Sequence, residues 1–136
     1  MSGLVLDTNA YVAFKRGVDG SVEVLSLADE IVVPAVVLGE LLAGFSCGDR
    51  EAENRREFTE FLDLARVRVA VVDSTTASWY GRIYSQLRRS GRPIPANDLW
   101  IAASALQNGL PVFSYDRHFE HVEGLAIVAR PEDLLL

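Results

Sequence analysis

Four acidic residues, Asp7, Glu40, Asp98 and Asp116, stand where carboxylates could do chemistry together. Asp7 ends the apolar run Leu4-Val5-Leu6 and is followed by Thr8 and Asn9, and Asp116 comes soon after Val112-Phe113-Ser114. A short apolar run closed by turn-forming residues is how a strand covered on both faces reads, and its carboxyl end is where open α/β sheets place their ligands. Glu40 stands among Val36, Val37, Leu38, Leu41, Leu42 and Ala43, where an ionised side chain is costly unless it is paired or holds a metal. Asp98 opens the small apolar stretch Ile101, Ala102, Ala103, Ala105, Leu106. Four carboxylates without a suitably spaced histidine or cysteine form a hard, all-oxygen donor set, which selects Mg²⁺ or Mn²⁺ over zinc. Two such ions about 4 Å apart can activate a water and stabilise the leaving oxygen of a phosphodiester.

Each acid also has a structural reading. Asp7 and Asp98 suit helix N-caps, Asp116 suits a turn, and Glu40 suits a salt bridge to an arginine. The joint pattern is more specific than its members. Acids at helix starts also gain from the helix dipole, which lowers the cost of crowding anions. The rival chemistry uses His118 and His121, three apart, as acid and base in a metal-free phosphodiester cleavage by a hydroxyl of the substrate itself. Both histidines are read as lying outside the metal shell.

The elements that must position these residues follow from pattern. Residues 8–16 read as a helix stopped by Gly17, and Ser21 reads as the cap of a second that carries Val24, Leu25 and Leu27 inward. Residues 31–33 form a strand closed by Pro34. The helix at 35–45 is apolar almost all round, which predicts burial on every side. A turn at 47–50 leads to an amphipathic helix at 51–65, then an edge strand at 67–72 in which arginine alternates with valine. Ser74 caps a helix carrying Trp79, Ile83 and Leu87, ended at Ser90-Gly91. Pro93 and Pro95 break the chain before a helix that begins at Asn97-Asp98 and stops at Asn108-Gly109. Strands at 112–114 and 126–128 and an apolar tail at 131–136 complete the order, which the connection rules make a doubly wound α/β sheet. If the strands before Asp7 and Asp116 are neighbours across the switch point, the two acids face one another.

The chain has 136 residues, expected to form one domain over 1–136, with no repeat or linker. With 49% apolar and 24% charged residues it is neither disordered nor membrane-spanning in pattern. A start interrupted by Asp7 lacks the form of a secretory signal, so the expected location is the cytoplasm. Cys47 is the single cysteine, which excludes an internal disulfide and a thiolate metal site. A net charge of −6 argues against a polyanionic partner, but two bound dications would offset four of those charges. Twelve of the thirteen basic residues are arginines, the type suited to forked phosphate contacts, and Arg82, Arg88, Arg89 and Arg92 cluster.

Leu6-Asp7-Thr8-Asn9, Glu40-Leu41-Leu42, Asn97-Asp98-Leu99-Trp100-Ile101-Ala102-Ala103 and Ser114-Tyr115-Asp116-Arg117-His118-Phe119 together resemble a PIN domain, in particular its VapC toxin branch. The resemblance covers the whole chain in the right order. It implies a five-stranded parallel sheet flanked by helices, Mg²⁺- or Mn²⁺-dependent cleavage of RNA, a homodimer, and inhibition by a small VapB-type antitoxin whose tail enters the active-site groove. Asp7, Glu40 and Asp98 match the family's three core acids, Asp116 its more variable fourth, and Ser114 the hydroxyl residue two places before it. His118 departs from the pattern, since an acid commonly precedes the phenylalanine.

Other classes fit less well. A haloacid-dehalogenase phosphatase needs an acid where Asn9 stands, a receiver domain needs a late lysine where the only lysine is Lys15, and a dinucleotide fold needs a glycine-rich first turn. The alternatives left are a catalytically silent interaction module on the same fold and another metal-dependent phosphoester hydrolase. Trp79, Tyr80, Tyr84 and Trp100 read as core or dimer contacts before they read as base-stacking platforms.

Overall fold

Strand β1 (Gly3–Leu6) is buried at every position, and the sheet is built outward from it in the computed structural model, which describes residues 2–134. The remaining strands are β2 (Glu30–Pro34), β3 (Val67–Ala70), β4 (Val112–Phe113) and β5 (Ile127–Val128). They lie in the order β3-β2-β1-β4-β5, and every neighbouring pair is parallel. The chain first winds outward from β1 through β2 to β3, then returns to place β4 on the other flank of β1. Val5 pairs with Val112 and Leu6 with Phe113, so the switch point falls between the strands that lead to Asp7 and Asp116. This is the doubly wound five-stranded sheet expected from the sequence.

Among the described residues seven helices accompany the strands: α1 (Thr8–Lys15), α2 (Ser21–Leu27), α3 (Ala35–Cys47), α4 (Glu51–Leu62), α5 (Ser74–Ser90), α6 (Ala96–Asn108) and, after β5, α7 (Pro131–Leu134), with a 3₁₀ turn at Arg117–His121. Tyr11 of α1 meets Phe58 and Phe61 of α4 edge-on, with ring centroids 5.1 and 5.3 Å apart. That aromatic contact fixes the roll of α1, and with it the direction in which Thr8 points. Helices α5 and α6 pack along each other, with Tyr80 and Trp100 at 4.2 Å between centroids. Gly91 and Gly109 end these two helices at φ 69° and 65°, a conformation that favours glycine.

Several local expectations are corrected. Helix α3 is not enclosed on every side: only Val37 and Leu41 are buried, while Val36, Leu38, Leu42 and Phe45 are half-buried and Ala43 is exposed. Leu27 faces solvent. Gly20 takes the cap position of α2, and the Ser21 hydroxyl turns back to donate to the Val18 carbonyl. Asp73 rather than Ser74 caps α5, in a reciprocal pair of bonds with Thr76. Helix α3 extends through Cys47, α4 stops at Leu62 and β3 stops at Ala70, leaving Val71 and Val72 exposed. Strand β3 is an edge, as its arginine alternation implied. The apolar tail forms α7 against α2 as far as Leu134, and residues 135–136 of that expectation lie outside the described residues.

Candidate metal centre

Asp7 leaves the end of β1 with an extended backbone and is the N-cap of α1, yet its side chain is only 5% exposed. One carboxylate oxygen accepts from the Thr8 backbone N–H at 2.8 Å and the other from the Ser114 hydroxyl at 2.6 Å. A capping carboxylate ordinarily takes the second or third N–H of its helix. Asp7 takes the first, and two of its roughly four acceptor positions are left unused. Ser114 follows β4 and accepts in turn from the Asp116 N–H at 2.9 Å. One hydroxyl therefore links the acids that end the two central strands.

Glu40 projects from α3 toward the same place. Thr8 donates its hydroxyl to Glu40 Oε1 at 2.6 Å, and the Asn97 amide donates to Oε2 at 3.2 Å. Asp98 sits in the first turn of α6, behind the cap at Pro95, and Asp116 caps the 3₁₀ turn by accepting from the His118 N–H at 2.9 Å. All four acids line one open crevice of about 470 Å³, with Arg16 at its wall. A larger cavity of about 690 Å³ between α1, α3 and α4 adjoins it and shares Thr8 and Glu40. The convergence of charge, not the size of the cavity, marks the chemical centre.

The electrostatics are those of crowded anions. Burial pushes the Asp7 carboxyl up from 3.8 to about 6, against the lowering effect of the Ser114 and Thr8 bonds, and Asp98 and Glu40 push it further in the same direction. Asp98 is also raised, first by burial and then by the charge of Asp116 and Glu40, while His118 opposes the shift. Among the described residues no lysine or arginine comes within 4.0 Å of Asp7, Glu40, Asp98 or Asp116. The arginine salt bridge considered for Glu40 is therefore not formed. Four oxygen-donor side chains with spare lone pairs and mutually unfavourable charge fit a hard divalent cation, whose charge would reverse the sign of their interaction.

Three other residues belong to this framework. Asn9 accepts from the Tyr115 N–H at 3.1 Å and tethers the start of α1 to the loop after β4. Asn97 orients Glu40, as described. His118, expected to stand apart from the acids, instead brings Nδ1 to 2.8 Å from Asp98 Oδ2 and 3.1 Å from Asp116 Oδ1. The hydrogen bond to Asp98 is the main cause that raises its pKa above 6.5. Helix-start polar residues signalled Asn9 and Asn97, but nothing local signalled a histidine that reaches an acid twenty positions earlier. His121 lies beyond this group, at the end of the 3₁₀ turn.

Residues 4–125 match the sequence model of the PIN domain. Over 124 residues the chain is 30% identical to ribonuclease VapC5 of Mycobacterium tuberculosis, covering 91% of this chain and 90% of the relative. It is 30% identical over 128 residues to the tRNA(fMet)-specific endonuclease VapC of Shigella flexneri, covering 92% and 96%. Among solved structures, VapBC2 from Rickettsia felis bound to a DNA fragment from its promoter superposes with a TM-score of 0.83 at 25% identity, covering 93% of this chain and 97% of that one.

Proposed function

Because the chain belongs to the PIN domain family, we propose that it is an endoribonuclease toxin of the VapC kind, in which Asp7, Glu40, Asp98 and Asp116 hold Mg²⁺ or Mn²⁺ and hydrolyse RNA phosphodiesters. The observation that carries this reading is the switch point between β1 and β4, which gathers four carboxylates, none of them paired with a lysine or arginine among the described residues, from distant parts of the chain into one crevice. A divalent cation bound there supplies an acidified water and charge neutralisation at the leaving oxygen.

The chain's own contribution is preorganisation. Thr8 and Ser114 fix the two oxygens of Asp7 in opposite directions, so the carboxylate cannot rotate away when solvent enters. Thr8 also holds Glu40, so a single residue orients an acid on each side of the crevice. Ser114 sets the Asp116 backbone through its N–H, and Asn9 holds the adjoining loop. Arg16 offers a guanidinium at the wall, placed to meet a phosphate of the RNA strand. Together these contacts keep the acids within reach of one scissile phosphate without large rearrangement.

Protein partners fit the same molecule. The half-buried apolar side of α3 and the cavity between α1, α3 and α4 give a second chain a surface to cover, in keeping with a homodimer and with a VapB-type antitoxin. VapBC-5 of M. tuberculosis, 30% identical over a shared fold with a TM-score of 0.72, is a member of the VapBC family of toxin–antitoxin systems.

Product analysis tests the chemistry. Attack by water that expels the 3′-oxygen predicts a 5′-phosphate and a 3′-hydroxyl, and complete inhibition by EDTA. A 2′,3′-cyclic phosphate that persists in EDTA and disappears when His118 and His121 are both changed to alanine would overturn the assignment in favour of the histidine route.

A further inference from the structure

His118 is more than a neighbour of the acids. Its Nδ1, Asp98 Oδ2 and Asp116 Oδ1 come from α6 and from the two ends of one tight turn, and all lie within 4.8 Å of one another. Nδ1 is 2.8 Å from the Asp98 oxygen and 3.1 Å from the Asp116 oxygen. Adjacent donors around an octahedral ion with bonds of about 2.1 Å are separated by about 3 Å, so both spacings suit ligands that share one cation. The residue is held there from below: the His118 backbone N–H donates to Asp116 Oδ1 at 2.9 Å, and the next residue, Phe119, is fully buried. Its far side is open to solvent, so no element must move for the ring to stay where it is.

We propose that His118 is a direct ligand, through Nδ1, of the divalent cation at the Asp98 and Asp116 side of the centre, which makes that side a mixed nitrogen and oxygen site. This rests on the metal-dependent reading above and goes beyond it by naming a ligand that the four-acid pattern does not contain. An imidazole nitrogen is a softer donor than a carboxylate and is accepted more readily by first-row transition ions, Mn²⁺ among them, than by Mg²⁺. The site is therefore tuned toward Mn²⁺ over Mg²⁺ relative to an all-carboxylate version of the same crevice. The competing arrangement is an imidazole that only bridges the two acids by hydrogen bonds and leaves when a cation enters.

Electron spin-echo spectroscopy of Mn²⁺ bound to the full chain separates the two, with no turnover required. The expected result is ¹⁴N modulation from a directly bound imidazole in the wild type and in His121→Ala, replaced by the ¹⁵N pattern when the histidines are ¹⁵N-labelled, and lost in His118→Asp. Labelling reads the contact in the unaltered protein, so the result does not depend on how well a variant folds. Calorimetric titration of both ions should show the preference for Mn²⁺ over Mg²⁺ falling in His118→Asp by about tenfold, the factor that corresponds to about 1.4 kcal/mol between the two ions. Mn²⁺ that raises the melting temperature of wild type but not of Asp7→Asn, yet shows no nitrogen coupling, would overturn the role of His118 and leave the carboxylate centre standing. Wild type that binds no Mn²⁺ would overturn both.

Discussion

Replacing Asp7 by asparagine should stabilise the metal-free protein. Burial raises the carboxyl from 3.8 to about 6 in the folded chain, a shift of roughly two pK units, and each unit is worth about 1.4 kcal/mol. As pH rises past 4 the unfolded chain loses this proton first, so folding weakens progressively until the folded carboxyl also ionises near 6. Above that pH the wild type carries the whole penalty, about 3 kcal/mol, and at pH 4 only about 0.5 kcal/mol of it. Asparagine carries no charge, but it must reorganise the Ser114 contact: the amide nitrogen would donate to the hydroxyl, which turns its own proton to Asn9 Oδ1, 3.4 Å away. That poorer bond returns about 1 kcal/mol. The net gain is then about 1 to 2 kcal/mol at pH 7.5, or several degrees of melting temperature in a chain of this size. Thermal melts by circular dichroism in EDTA at pH 7.5 and pH 4 read it directly: Asp7→Asn should melt higher at the first pH and level with, or below, wild type at the second. Excess Mn²⁺ should raise the wild type far more than the variant, since only a folded form that binds the ion is stabilised by it. If Asp7→Asn melts below wild type at both pH values, the carboxylate is a structural cap and the crowding account is wrong.

Glu40→Gln and Asp98→Asn should each abolish RNA cleavage and toxicity while keeping a wild-type circular dichroism spectrum, whereas Asp116→Asn should retain partial cleavage, because water can replace one carboxylate in a hydrated ion's shell; gel assays on a defined RNA distinguish these outcomes. Ser114→Ala removes both the donor to Asp7 and the acceptor for the Asp116 N–H, so it should cost about 1 to 3 kcal/mol in a urea titration and weaken cleavage at saturating metal; an unchanged midpoint would show that the hydroxyl does not hold the acids.

The sheet could be read from the chain because a strand covered on both faces must be apolar throughout, and Leu4-Val5-Leu6 and Val112-Phe113 are. The proximity of Asp7 and Asp116 followed once those strands were taken as neighbours, a pairing the register confirms. Helix α3 was misread for a physical reason. Apolarity reports that a surface avoids water but not whether the same chain or another covers it, and Leu38, Leu42 and Phe45 remain half-open in the isolated chain. Burial around Glu40 was overestimated for the same reason. Capping residues were displaced by one position at Asp73 and Gly20, because a flanking residue with the right backbone geometry outcompetes a good cap beside it. His118 was missed because its partners are set by how α6 meets the 3₁₀ turn, a contact between segments that no local spacing encodes.

The bond between Ser114 and Asp7 spans 107 positions of the chain, and this orders events in time. Synthesis proceeds from the first residue at about 5 to 20 residues per second. Asp7 and Glu40 therefore emerge long before Asp98 and Asp116 exist. In that interval β1 has β2 on one side and an open edge on the other, and Asp7 has no hydroxyl to orient it. The centre closes only when β4 docks. On the reading proposed above, a nascent chain without β4 has not yet assembled the centre, so cleavage waits until both flanks of β1 are paired.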